Sequence, residues 1–231
     1  MLASALGNRI FDALPDSESA SMRPALEAVT LDAYDIVYSA GAAIDAVYFP
    51  TTAVLSVLTV MRDGGAVEIG TFGCEGLSAA AVVLGGERSP SQVICQVPGD
   101  AYRMPVATFV AHLESAPVFR RLVRRYAEAL FNFMGQSIAC NRLHPVHERC
   151  ARWLLLTHDR VNGDTFALTQ EFLAIMLGVQ RPVVNLAARA LQNAGYIRYH
   201  RGRVEIRDRA GLERAACECY RINADEFVRV V

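Results

Sequence analysis

Lysine is absent from this 231-residue sequence, so all 23 of its basic residues are arginine. Without lysine, and without a glycine-rich loop of the right kind, there is no P-loop to cradle a triphosphate. Histidine is scarce, with five in all and none before His112, which removes the clustered strand histidines that a metal-dependent barrel enzyme of the cupin type would need. His144 and His147 are separated by Pro145, which places them at a helix start rather than in a pocket. The six cysteines (Cys74, Cys95, Cys140, Cys150, Cys217, Cys219) form no C-x-x-C pair, and their scatter through apolar segments suits reduced core thiols with no metal site. No apolar run approaches the roughly 18 residues of a membrane span. The N-terminus also lacks a basic flank followed by an apolar stretch and a cleavage site, so a soluble cytoplasmic protein with no membrane partner is expected. There is no Ser-His-Asp order either, and no enzyme is expected.

What is present is apolar mass and an uneven charge. At 52% hydrophobic residues, the chain can bury a sizeable core and is long enough for two domains. The net charge of −1 conceals a difference between the two ends: residues 1–141 carry 9 Arg against 14 acids, or −5, and residues 142–231 carry 14 against 10, or +4. Eight arginines and three acids lie between Arg181 and Arg214, a basic patch of the kind that meets a phosphate backbone.

Along the chain, residues 8–14 read as a short helix, and residues 23–29 as a further turn or two. From Val29 to Met104 short apolar runs alternate with turn residues, and Asp63-Gly64-Gly65 is a hairpin signal. Strands spaced so regularly predict an antiparallel barrel or jelly roll. After Pro105 the pattern turns helical, first over 106–114 and then over 117–141. In the longer segment Phe119, Val123, Tyr126, Leu130, Phe133, Ser137 and Cys140 follow a 4-3 spacing, which predicts a dimer seam. The same spacing also suits a helix buried in its own chain. Leu122, Met134 and Ile138 form a second stripe, suited to packing on the barrel.

Beyond a helix near 145–160, Thr169 caps a short helix that Gly178 ends, and Arg181-Pro182 opens another that runs to Asn193. Two strands then flank His200-Arg201-Gly202, and Asp208 caps a last helix reaching about Cys219. Helix, tight turn, helix and basic hairpin make a winged helix-turn-helix, whose second helix enters the major groove by its N-terminal end. Arg181 is the residue best suited to a guanine, with Gln180 and Asn185 as further base readers. Thr169, Arg189, Arg198, Arg201 and Arg203 suit phosphates.

This order of parts, and above all the segment Leu168-Thr-Gln-Glu-Phe-Leu-Ala-Ile-Met-Leu-Gly-Val-Gln-Arg-Pro-Val-Val, resembles the Crp/Fnr family of bacterial regulators. The resemblance implies an α+β chain: an effector-sensing β-barrel at 1–116, a dimerisation helix at 117–141 and a winged helix-turn-helix domain at 142–231. It also implies a homodimer on a near-palindromic operator, with double-stranded DNA and RNA polymerase as partners. The family's cyclic-nucleotide pocket would correspond to Gly73, Glu75, Gly76, Arg88, Ser89 and Ser137, although the spacing departs from the family pattern. The effector is then a cyclic nucleotide, another small ligand or none. An iron-sulfur cluster is disfavoured because the first cysteine is Cys74, and a haem would have only Cys74, Cys95 or His112 as axial ligands. Pro182 and Leu186 stand where cyclic-AMP-responsive members place a glutamate and a second base-reading arginine, so a different operator is implied. Two other readings are a nucleotide-binding module that acts on protein partners and a cupin-type enzyme.

Overall fold

The computed structural model describes residues 5–230. Short helices α1 (Arg9–Asp12) and α2 (Asp16–Met22) lead through a 3-10 turn at Arg23–Ala25 into strand β1 (Glu27–Leu31). The helix expected over 23–29 therefore stops early. Only one tight turn forms before Leu26 becomes extended, and β1 instead pairs with the later strand at Gly99–Pro105, in register Glu27 to Arg103.

Strands β2 (Ile36–Tyr38), β3 (Ala46–Pro50), β4 (Val54–Val60) and β5 (Ala66–Phe72) follow, then α3 (Ala80–Val83), β6 (Gln92–Val97) and β7 (Gly99–Pro105). They form two antiparallel sheets, ordered β1-β7-β3 and β2-β6-β4-β5. The pair is jelly-roll-like and does not close into a barrel. The β4–β5 turn is the expected one, with Gly64 at φ +88 and the Gly65 amide donating to Asp63 Oδ1 at 3.0 Å.

Helix α4 (Val106–Ser115) joins the sheets to the long helix α5 (Pro117–Leu143). The predicted dimer seam on α5 is filled by this chain itself. Phe119 packs among Phe11, Phe49 and Phe109, Tyr126 against Phe72 and Phe227, and Phe133 against Phe227. Val123, Leu130 and Ser137 are likewise buried, and Cys140 meets Cys217. A 4-3 spacing says that a helix face is covered without saying by what. Here the covering elements are the sheets and a C-terminal helix that the sequence reading did not anticipate. Of the second stripe, Leu122 is buried and Met134 reaches the sheet at Gly70, but Ile138 faces solvent.

After α5 come α6 (Val146–His158), β8 (Thr165–Ala167), α7 (Gln170–Leu177), α8 (Arg181–Asn193), β9 (Ile197–His200) and β10 (Arg203–Ile206). The helix capped by Asp208 ends sooner than expected, as α9 (Arg209–Ala215), and a separate α10 (Cys219–Val228) follows. Phe227 on α10 lies on Tyr126 and Phe133 of α5.

One hydrophobic core runs from the sheets into the C-terminal helices. Polar contacts cross the same boundary: Trp153 Nε1 donates to Glu68 at 3.0 Å, Gln96 Nε2 to Thr157 at 2.7 Å and Arg160 Nε to Glu75 at 2.7 Å. Gly178 sits at this boundary with φ +62, where a Cβ would lie 2.8 Å from Val67 Cγ2 on β5. Gly178→Ala therefore adds a clash to a left-handed strain of about 1–2 kcal/mol and should cost more than that strain alone in urea unfolding. Adding Val67→Ala should recover the clash portion, and a single variant as stable as the parent would refute the close approach.

Candidate DNA-binding surface

The helix-turn-helix is built by local chemistry. Thr169 Oγ1 accepts the Phe172 amide at 3.1 Å, satisfying an orphan donor at the start of α7. The left-handed Gly178 closes that helix, and its amide and that of Val179 return to Ile175 and Ala174 carbonyls. The chain turns by 104° into α8, where Gln180 is the N-cap and Pro182 falls in the first turn, where no intrahelical donor is needed. Leu173, Ala174, Leu177, Val184, Ala187 and Leu191 are buried between the helices and their support.

The wing is three-stranded, in order β8-β10-β9. Arg201 and Gly202 at its tip both have positive φ, +48 and +72, the conformation of a two-residue hairpin turn with right-handed strand twist. The Gly202 carbonyl accepts the Leu168 amide at 2.8 Å, and Tyr199 donates its hydroxyl to the Leu168 carbonyl at 2.6 Å. These bonds hold the wing beside the start of α7, so Thr169 lies next to Gly202.

Most of the predicted DNA contacts are exposed: Thr169, Gln180, Arg181, Arg189, Arg198, Arg201 and Arg203, with Asn185 half-buried. The Arg181 side chain is 66% exposed and reaches Glu171 only at 3.9 Å, and Arg198 meets Glu205 only at 4.0 Å. Exposed pairs so loose hold a side chain weakly, leaving both guanidiniums available to another anion. Arg209 is different. It is committed to Asp159 at 2.5 Å and Glu213 at 3.1 Å, and so belongs to the fold. The outward face of α8 also carries Leu186, 69% exposed, and Val183.

The predicted effector residues do not come together. Glu75 is buried in an ion pair with Arg160, just beyond the end of α6, and accepts the Gly73 amide at 3.1 Å. Gly76 packs under the Tyr126 ring so closely that no Cβ would fit. Arg88 is an exposed donor to the Gly41 carbonyl, Ser89 is turned inward to Ser91, and Ser137 is buried on α5. Residue type alone suggested a ribose-and-phosphate set, but the elements direct these side chains to separate tasks.

Sequence reasoning missed a buried polar chain at the domain boundary. Ser56 has one hydroxyl proton but two acceptors within reach, Glu68 Oε2 at 2.6 Å and Gln96 Oε1 at 2.7 Å. A neutral Glu68 resolves this by donating to Ser56, which then donates to Gln96. Burial pushes the Glu68 carboxyl up to about 7, against the opposing pull of Ser56, Arg152 and Trp153. A carboxyl raised on folding stabilises below its unfolded value near 4.5 and loses that contribution as pH climbs through about 7. Wild-type stability should thus fall by on the order of 3 kcal/mol between about pH 5 and pH 8. Glu68→Gln keeps a donor toward Ser56 and should flatten that window in urea titrations. An unchanged pH profile would contradict the neutral carboxyl.

The family model for the Crp-like helix-turn-helix domain matches residues 148–215, spanning α6 through α9. Residues 148–215 thus form a Crp-like helix-turn-helix domain, a fold that binds DNA. Solved structures of like fold include a putative Crp/Fnr-family regulator from Eubacterium rectale, with 15% identity, 89% of this chain and 96% of that one covered and a TM-score of 0.68. FixK2 from Bradyrhizobium japonicum has 13% identity, 83% and 98% coverage and a TM-score of 0.71. The c-di-GMP-responsive regulator CLP from Xanthomonas campestris has 12% identity, 83% and 99% coverage and a TM-score of 0.66. At such identities the likeness is one of fold. No curated protein matches the chain. Among the described residues no single helix is long and apolar enough to cross a membrane.

Proposed function

We propose that this chain is a Crp/Fnr-type transcription regulator that binds a near-palindromic operator as a homodimer, under control of a signal received by its N-terminal sheets. The observation that carries the reading is the exposed start of α8, with Gln180 and Arg181 in front of a basic wing. Arg181 reads a guanine in the major groove, with Gln180 and Asn185 beside it. Thr169, Arg189, Arg198, Arg201 and Arg203 hold phosphates on either side. Leu186 and Val183 present apolar surface to the groove, which suits thymine methyl groups and gives an operator unlike one read by two arginines and a glutamate.

With the original seam occupied, dimerisation falls to the opposite face of α5. Phe131, Gly135 and Ile138 continue a 4-3 spacing there, with Phe131 75% and Ile138 69% exposed. Gly135 has no neighbour within 4 Å of a Cβ position, which leaves room for a second helix to approach closely. The signal route follows from the packing of β5 on the turn between α7 and α8. A shift of the β4–β5 hairpin would move Val67 against Gly178 and reorient the reading helix. RNA polymerase is the partner through which operator binding would act on transcription. Selection from random double-stranded DNA tests the proposal. A two-fold symmetric sequence with a guanine in each half-site should emerge, and a pool without symmetry or enrichment would oppose it.

A further inference from the structure

Three of the six cysteines, which look scattered in sequence, converge at the end of α5. Cys140 lies in its last turn, and His144 is the residue that caps it, its amide donating to the Cys140 carbonyl at 3.1 Å. Cys217 comes from the break between α9 and α10, and Cys219 is the first residue of α10. The three thiols form a buried cluster apart from the main core. One ligand atom from each of the four residues lies within 4.8 Å of all the others. Cys140 Sγ is 3.5 Å from Cys217 Sγ, and Cys219 Sγ is 3.5 Å from His144 Nδ1.

We propose that Cys140, His144, Cys217 and Cys219 form a tetrahedral zinc site that fastens α10 to the end of the long helix. Zinc bonds of about 2.3 Å to sulfur and about 2.0 Å to nitrogen place tetrahedral ligand atoms about 3.5–3.8 Å apart. The four donors need to close by no more than about an ångström to meet that spacing.

Two surrounding features suit a metal at this cluster. The Gln136 amide donates to Cys219 Sγ at 3.1 Å, the kind of outer hydrogen bond that orients a metal-bound sulfur. Arg149 and Arg152 are both buried on α6, each with an Nε that has no hydrogen-bond partner. Both guanidiniums interact electrostatically with Cys140 and Cys217. A zinc ion with three thiolates and a neutral imidazole carries a net charge of −1, which offsets buried positive charge. The site would lock the hinge at His144-Pro145, where α5 hands over to the DNA-binding domain. It would also hold α10 over the α5 face that the 4-3 spacing had suggested for a partner.

The test uses full-length protein purified anaerobically with a non-thiol reductant, its metal content read by mass spectrometry. About one zinc per chain is expected, as in structural Cys3His sites. Chelator-stripped protein should bind Co2+ with the intense visible bands and sulfur-to-metal charge transfer of a tetrahedral thiolate site. His144→Ala should weaken Co2+ binding about tenfold or more. In chelator-stripped wild type, added Zn2+ should slow alkylation of Cys140, Cys217 and Cys219 while leaving Cys74 unaffected, a readout that needs no variant to fold. Zinc-free protein with no cobalt spectrum would overturn the proposal, as would alkylation indifferent to Zn2+. So would a Cys140–Cys217 disulfide as the native state.

Discussion

Arg181→Ala is expected to lower affinity for the selected operator by about 1–3 kcal/mol per half-site, roughly fivefold to 150-fold, with little change on random DNA. Arg181 is the first residue of α8, it is mostly exposed, and only a long contact to Glu171 occupies it. A guanidinium there can offer two parallel donors to guanine, and alanine leaves both acceptors without a partner. The contrast is Arg203→Ala on the wing. Its loss should weaken specific and random DNA alike and reduce the salt slope by about one. Fluorescence anisotropy on both duplexes at several salt concentrations separates the two roles. If Arg181→Ala behaved like Arg203→Ala, Arg181 would be a phosphate contact and the assignment of the reading head would fall.

A second large effect is expected from Phe131→Asp combined with Ile138→Asp. Both side chains point to solvent, so the fold should survive, yet each would place a carboxylate in the proposed seam. The variant should sediment as a monomer and lose about 10²- to 10⁴-fold in affinity for a palindrome, since the second half-site would no longer be held at high effective concentration. A persistent dimer would move the interface elsewhere. Charge placed instead at Leu130 or Phe133 would unfold the chain, because those residues lie in its core.

The C-terminal domain was legible because its signals are local. Thr169 as a cap, Gly178 as a left-handed stop, Pro182 in a first turn and Arg201-Gly202 at a hairpin tip each act within a few residues, and each stands where its chemistry requires. The hairpin at Gly64 was readable for the same reason. Long-range pairing was not. The face of α5 carrying Phe119 through Cys140 announces burial by its period, but the identity of the covering surface depends on α10, nearly a hundred residues downstream of the face it covers. Phe133 meets Phe227 only once the whole chain is folded.

The candidate pocket failed for a related reason. Glu75 has the right chemistry for a ribose, and Arg88 with Ser89 for a phosphate, but Arg160 claims the carboxylate and Gly41 the guanidinium. Residue type names a capability, whereas the neighbours decide its use. The cysteines show the reverse case. Cys140 and Cys217 are 77 residues apart and lack C-x-x-C spacing, so nothing local marked them as partners.

The central claim is that two copies of α8 read one face of a duplex. Hydroxyl-radical footprinting of the wild type on its selected operator tests it most directly. The account predicts two protected patches on the same face, centred about one helical turn, roughly 34 Å, apart. Protection confined to a single half-site, or spread evenly along the duplex, would contradict it.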